Sequence, residues 1–461
     1  MVFSQPTFLF AFLPLVLGLH LLCPKWAKNL FLVLASLGFY AWGEDELVAL
    51  LIGSAAVNYV VCRRMVARSD GPWLAVGVGL NLALLVLFKY AGWLTGGALT
   101  FELPLGISFF TFQAISFLID VRRRDAEPPG SLADFTLYLA LFPQLVAGPI
   151  VRYRDLAHQI KERALSSEAF AEGVRRFVDG LAKKVLVADV LATSADSIFA
   201  LSPSALSPAV AWFGVAAYTL QIYFDFSGYS DMAIGIGLML GFRLPENFRH
   251  PYASRSITEF WRRWHISLSS WFRDYLYIPL GGNRRGRART YLNLVVVFLL
   301  CGLWHGAALT FVLWGAFHGL LLIMERLGAG RLLSRAPAPI SIGVTVLLVA
   351  LGWVLFRAQN AEHALKIYAA LMGESGDLPQ SLALHATAHS WSVLAIGMLL
   401  AGPVYPALEQ RFKGKEALPQ AAGLQAPGLQ VLSAVGTLGL LALTLIAVSG
   451  QSHSPFLYFR F

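Results

Sequence analysis

Charge is scarce in this sequence: only 14% of its 461 residues are Asp, Glu, Lys or Arg, while 57% are hydrophobic. A soluble chain of this length needs far more charge on its surface, so a polytopic membrane protein is implied. Cysteine is scarce too. Cys23, Cys62 and Cys301 stand in or beside apolar segments without disulfide or metal-ligand spacing, which leaves them as small core hydrophobes and predicts no bound metal. Neither a Walker motif nor a Gly-x-Ser-x-Gly elbow occurs, so ATP hydrolysis and covalent serine chemistry lose support. No tandem repeat and no long polar tract is visible, and a single membrane domain over 1–461 is expected.

What is abundant is apolar sequence. Crossing the hydrocarbon core takes about 17 to 25 apolar residues. Candidate segments lie near 6–22, 29–42, 47–61, 72–88, 104–120, 208–224, 228–242, 291–304, 308–324, 341–356, 391–408 and 431–449. Several are short, and roughly ten or eleven are plausible spans by that criterion. The first has neither a basic flank nor a cleavage site and reads as a retained helix. The net charge of +9 is distributed unevenly: Arg63, Arg64 and Arg68, then Arg122 to Arg124, alternate with an acidic "GEDE" loop. Basic loops in the cytoplasm put the N-terminus outside.

That alternation breaks after residue 124, because "DFTLYLALFPQLVAGPIVRYRDL" leads into another basic stretch. Pro143, Gly148 and Pro149 interrupt its helical pattern, and broken backbone at membrane depth survives only where protein or a water-filled cavity covers it. A re-entrant segment is therefore expected here. The charged stretch 151–190 has helical spacing at Phe170, Val174, Phe177 and Leu181 and is expected at the membrane surface.

Two histidines stand out. "SITEFWRRWHISLSSWF" read as one helix puts Trp261, Trp264, His265, Leu268, Trp271, Phe272 and Tyr275 on one face, opposite Arg262, Arg263, Ser267, Ser270 and Asp274. This is either an aromatic interfacial belt with an incidental histidine or a helix that presents His265 for a task, since a buried imidazole is costly without partners. His305, in "GLWHGAALTF", lies amid nearly uninterrupted apolar sequence between Gly302 and Gly306. Held neutral, it could act as a general base; bonded across helices, it would be structural. His318 is a weaker candidate. In "YFDFSGYSDMAIG", Asp225 and Asp231 sit in apolar surroundings and fit either a proton or ion path or a network pairing with Arg262 and Arg263, with "SGYS" suggesting a break in the helix. A basic loop with Arg284, Arg285, Arg287 and Arg289 would suit a phosphorylated donor, or would only set topology.

The stretches "YFDFSGYSDMAIG", "ENFRHPYASRSITEFWRRWHISLSSWFRDYLYIPLGGNR", "GLWHGA" and "SPFLYF" together resemble the membrane-bound O-acyltransferase family, in its bacterial branch that acetylates exopolysaccharides. The resemblance implies an all-α ring of about ten or more transmembrane helices, with re-entrant and interfacial helices around a central tunnel and a catalytic core at about 100–325. It implies His305 as the catalytic histidine and His265 as its partner, orienting the thioester or stabilising its oxyanion. Arg284, Arg285, Trp264 and Trp304 would contact the donor, and Asp225, Asp231, Arg262 and Arg263 would support them. The implied reaction moves acetyl from cytoplasmic acetyl-CoA, a substrate and not a resident cofactor, toward a polysaccharide such as alginate or cellulose. Transfer would be direct or through periplasmic partner transferases, in a bacterial inner membrane, with lipid around the protein and no role for nucleic acid. The rival readings are a D-alanyl transferase of the same family acting toward teichoic acid and, outside enzymes, a proton-coupled transporter. Paired broken helices in corresponding halves, which such a transporter should show, are not visible. Residues 373–430 carry no motif that assigns them a role.

Overall fold

A computed structural model describes residues 2–404, 407 and 427–450. The "SPFLYF" stretch and most of the polar region 409–428 lie outside the described residues, which contain helices and no strand. The chain runs through α1 (Phe8–Leu22), α2 (Lys28–Glu44), α3 (Val48–Ala67), α4 (Trp73–Leu94) and α5 (Ile107–Arg123). Shorter pieces follow: α6 (Leu132–Ala140), α7 (Phe142–Leu145), α8 (Tyr153–Lys161), α9 (Ser167–Ala182) and α10 (Asp189–Phe199). Then come α11 (Pro208–Met239), α12 (Ile257–Arg263), α13 (Ile266–Phe272), α14 (Gly286–His305), α15 (Leu309–Met324), α16 (Gly330–Arg335), α17 (Ala338–Arg357), α18 (Ala361–Leu371), α19 (Ala388–Ala401) and α20 (Pro427–Gly450).

Six helical stretches among the described residues are long and apolar enough to cross a membrane, which makes this a multi-pass membrane protein. They are Lys25–Ala67, Trp73–Leu94, Gly286–His305, Leu309–Arg335, Ala338–Arg357 and Val431–Gly450. Each exposes much of its apolar surface, as Leu34, Leu80, Leu347 and Leu438 show.

At the centre stands α11, a 32-residue helix whose residues are nearly all buried. Two spans were expected over 208–242, joined by a break at "SGYS"; the helix instead runs through without interruption. The small residues there serve close packing. A Cβ on Gly228 would come within 2.7 Å of the Gly180 carbonyl oxygen on α9, and one on Gly180 within 2.5 Å of the Gly228 oxygen. Gly173 and Gly235 repeat the arrangement one step along, at 2.6 Å in both directions. Glycines seven apart on both helices let the two backbones touch. Within the stretch 151–190, α9 buries Phe177 and Leu181 against the central helix.

The expected break near Pro143 is present. α6 stops at Ala140, Leu141 leaves the helical region, and 146–152 runs without helix through buried surroundings. The freed backbone is satisfied by protein: Phe142 N–H donates to Ser36 Oγ (3.2 Å) and Ile150 N–H to Ser267 Oγ (3.0 Å), as interior non-helical chain requires.

Candidate active site

The segment that carries His265 is not one helix. α12 begins at Ser256, whose hydroxyl caps the Glu259 N–H (3.0 Å), and ends after two turns. Trp264 is extended and His265 adopts the left-handed conformation (φ 43°, ψ 55°) before α13 starts. For a residue with a Cβ this costs about 1–3 kcal/mol and persists only where the surroundings impose it. Here the preceding chain does so: Arg249 N–H donates to the Arg263 carbonyl (2.9 Å) and Ile266 N–H to the Asn247 carbonyl (3.0 Å). The break therefore exchanges helical hydrogen bonds for bonds to an extended strip at 247–249. It aims the imidazole inward.

Asn247 also holds the side chain. Its Oδ1 accepts from Ser267 N–H (3.2 Å), Ser267 Oγ (2.8 Å) and His265 Nδ1 (3.1 Å), while its Nδ2 donates to Ser230 Oγ (3.1 Å). A backbone N–H can only donate, so the amide orientation is fixed and His265 Nδ1 must carry hydrogen. Burial holds this imidazole, which lies outside the spanning helices, neutral with its pKa pushed down to about 3. Nε2 is then the lone-pair nitrogen. His265 packs edge-on to Phe226 of the central helix (4.7 Å) and against Trp304 (6.1 Å).

His305 is the last residue of α14, and Gly306 turns extended at once into the hairpin to α15. A Cβ at Gly302 would fall 2.2 Å from the Phe311 carbonyl oxygen, so the small neighbour lets the two arms of that hairpin close. The His305 ring meets Trp304 (4.9 Å), Trp314 (5.1 Å) and Phe356 (5.1 Å), all edge-to-face. Trp304 thus neighbours both imidazoles, with its indole N–H donating to the Ser108 carbonyl (3.2 Å). The structure brings His265, His305 and Trp304 together in one buried place, where His305 is 4% exposed and His265 fully buried.

Other candidates fall elsewhere. Trp264 turns onto Trp353 (4.9 Å) and Phe248 (5.0 Å), and His318 accepts from Trp261 Nε1 (3.3 Å) inside an aromatic cluster. Arg284 and Arg285 are exposed in the loop before α14, about 28 Å from His305 along the helix axis. The expected pairing of Asp225 and Asp231 with Arg262 and Arg263 does not occur. Asp225 binds Lys184 (2.6 Å), and Asp231 binds Arg176 (2.7 Å) and Lys183 (2.5 Å), because α9 and the residues just after it, not α12, lie beside them on the central helix. Arg263 pairs with Glu259 on its own helix (2.7 Å), and Arg262 is exposed. Asn247 and Ser267 were not singled out as site residues. "ENFRH" has no periodicity to flag Asn247, and Ser267 was assigned to the opposite face by an unbroken helix.

The sequence profile of the membrane-bound O-acyltransferase family (MBOAT) matches residues 75–337, a stretch containing both histidines. The chain belongs to the membrane-bound O-acyltransferase family. It is 44% identical over the full length of both chains to a Pseudomonas putida protein named probable alginate O-acetylase AlgI. A Helicobacter pylori peptidoglycan O-acetyltransferase is 40% identical over 82% of this chain and 80% of its own. A Bacillus subtilis teichoic acid D-alanyltransferase is more distant, at 28% over 47% of this chain and 58% of its own. The MBOAT chain described here is accordingly a multi-pass membrane O-acyltransferase.

Proposed function

We propose that this enzyme takes acetyl from cytoplasmic acetyl-CoA and delivers it across a bacterial inner membrane for O-acetylation of an exopolysaccharide such as alginate or cellulose, by way of periplasmic partner transferases. The observation that carries the reading is the buried pair of imidazoles gathered around Trp304. His305 takes the proton of the attacking hydroxyl as it adds to the thioester carbonyl, and gives it to the coenzyme A sulfur as the carbon–sulfur bond breaks. His265 orients the acyl group. With the basic loop at Arg284 and Arg285 in the cytoplasm, His305 lies about one helix length away, so the thioester arm must reach it inside the protein through a tunnel. Acetyl-CoA is a substrate in this scheme, and no permanently bound cofactor is needed.

The fuller match to proteins named for O-acetyl transfer favours acetyl over D-alanyl. The ion-paired state of Asp225 and Asp231 speaks against a proton path through them. The test is transfer of label from radioactive acetyl-CoA by purified protein in detergent, with and without polysaccharide, comparing the parent with His305→Ala. Label leaving coenzyme A only in the parent supports the reading. Turnover that persists in His305→Ala removes that residue from the chemistry.

A further inference from the structure

Lys89 is the one charged residue in α4, a 22-residue apolar helix, where a cation is costly and is kept for a task. Its ammonium donates to the Trp304 carbonyl (2.6 Å), the His305 carbonyl (3.1 Å) and the Ser108 hydroxyl (3.1 Å). All three of its hydrogens are thereby used. Beside it, the Tyr90 hydroxyl donates to the Leu303 carbonyl. These are the last three carbonyls of α14, which have no donor within their own helix because the chain leaves helical geometry at Gly306. The ammonium also meets the negative end of the helix dipole. Ser108 closes the knot, since its own carbonyl accepts from the Trp304 indole (3.2 Å).

The backbone of the residue that carries the imidazole is therefore clamped from a neighbouring helix. We propose that Lys89 is the positioning residue of His305: by fixing the end of α14 it sets the imidazole and the Trp304 ring in register with His265. This rests on the reading above, in which His305 performs the proton transfer. Lysine suits the place because a compact ammonium offers three donors from one point, matching three acceptors around it. Arginine would keep the charge with a different fork, glutamine would keep two donors without charge, and methionine would keep only the bulk.

The test is steady-state acetyl transfer by the full chain from labelled acetyl-CoA, for the parent, Lys89→Met, Lys89→Gln, Lys89→Arg and Tyr90→Phe. A displaced catalytic group lowers kcat without weakening substrate binding, so Lys89→Met should lose about 10- to 100-fold in kcat with the donor KM within about twofold of the parent. Lys89→Arg should recover most of that loss, and Tyr90→Phe should show a smaller loss of the same kind. A parent-like kcat in Lys89→Met, a loss confined to KM, or equal losses in the Arg and Met variants overturns the proposal. Should Lys89→Met fail to insert, Lys89→Gln carries the same comparison. A parent protein that turns over no acetyl-CoA, with or without acceptor, overturns the reading of the site and this proposal with it. A null result confined to the Lys89 variants overturns this proposal alone.

Discussion

Replacing Asn247 with alanine should nearly silence acetyl transfer while leaving the protein folded. The change removes the oxygen that accepts from Ser267 N–H, Ser267 Oγ and His265 Nδ1. The Ser267 N–H cannot turn away, and a stranded buried donor costs about 1–3 kcal/mol. The Ser267 hydroxyl can rotate toward another acceptor. The imidazole has its own escape, because with its hydrogen moved to Nε2 the bare Nδ1 can accept from the Ser267 hydroxyl, 3.4 Å away. That relief puts a hydrogen where the lone pair was. Stability should therefore fall by about 1–3 kcal/mol for that N–H, to which the lost Nδ2 bond to Ser230 adds. Activity should fall by about 100-fold or more, the scale of a lost acid–base or orienting function. Asn247→Asp keeps an oxygen against Nδ1 and should retain more activity than the alanine variant. The assays are label transfer from acetyl-CoA and thermal unfolding in detergent. An Asn247→Ala enzyme with kcat within about threefold of the parent would refute the tautomer argument.

At the crossing of α9 and α11, Gly180→Ala places a methyl group 2.5 Å from the Gly228 carbonyl oxygen, a backbone atom that cannot swing aside. It should cost about 1–3 kcal/mol in unfolding, whereas Gly53→Ala, with open space around it, should be neutral; equal midpoints would contradict the close crossing. Arg284→Ala with Arg285→Ala should raise the donor KM and leave kcat unchanged, since the pair sits about 28 Å from His305; a lower kcat at saturating donor would contradict that separation. The pH dependence of stability should carry a share from His265. Its pKa is lowered from 6.5 to about 3 in the fold, so the unfolded chain binds the extra proton and stability falls as pH drops below about 6.5. At pH 5.5 that share is about 1 kcal/mol, regained above about pH 7.5. His265→Asn should narrow the gap between unfolding midpoints at the two pH values, and an unchanged gap would refute the assignment.

How far the sequence could be read depended on whether a feature is local. Scarce charge and long apolar runs announced a helical membrane protein, and Pro143 with Gly148 announced the interruption at 141–150, because both are properties of a few neighbouring residues. The break at His265 had no such signal. Trp261, Trp264, His265 and Leu268 fit a helical face equally well whether or not the backbone turns between them, and what turns it is a strip at 247–249 that periodicity cannot associate with it. The glycine of "SGYS" suggested the opposite of what it does, since a glycine looks the same in a break and in a contact, and only Gly180 on another helix decides between them. The partners of Asp225 and Asp231 were misassigned for the same reason: a carboxylate in apolar sequence demands a cation, but the crossing of α9 chooses which one. Lys89 shows the converse. A lone lysine in an apolar helix is a local signal that the reading of the sequence passed over, and its meaning became specific only with the end of α14 against it, where the backbone of His305 is held by a residue more than two hundred positions away.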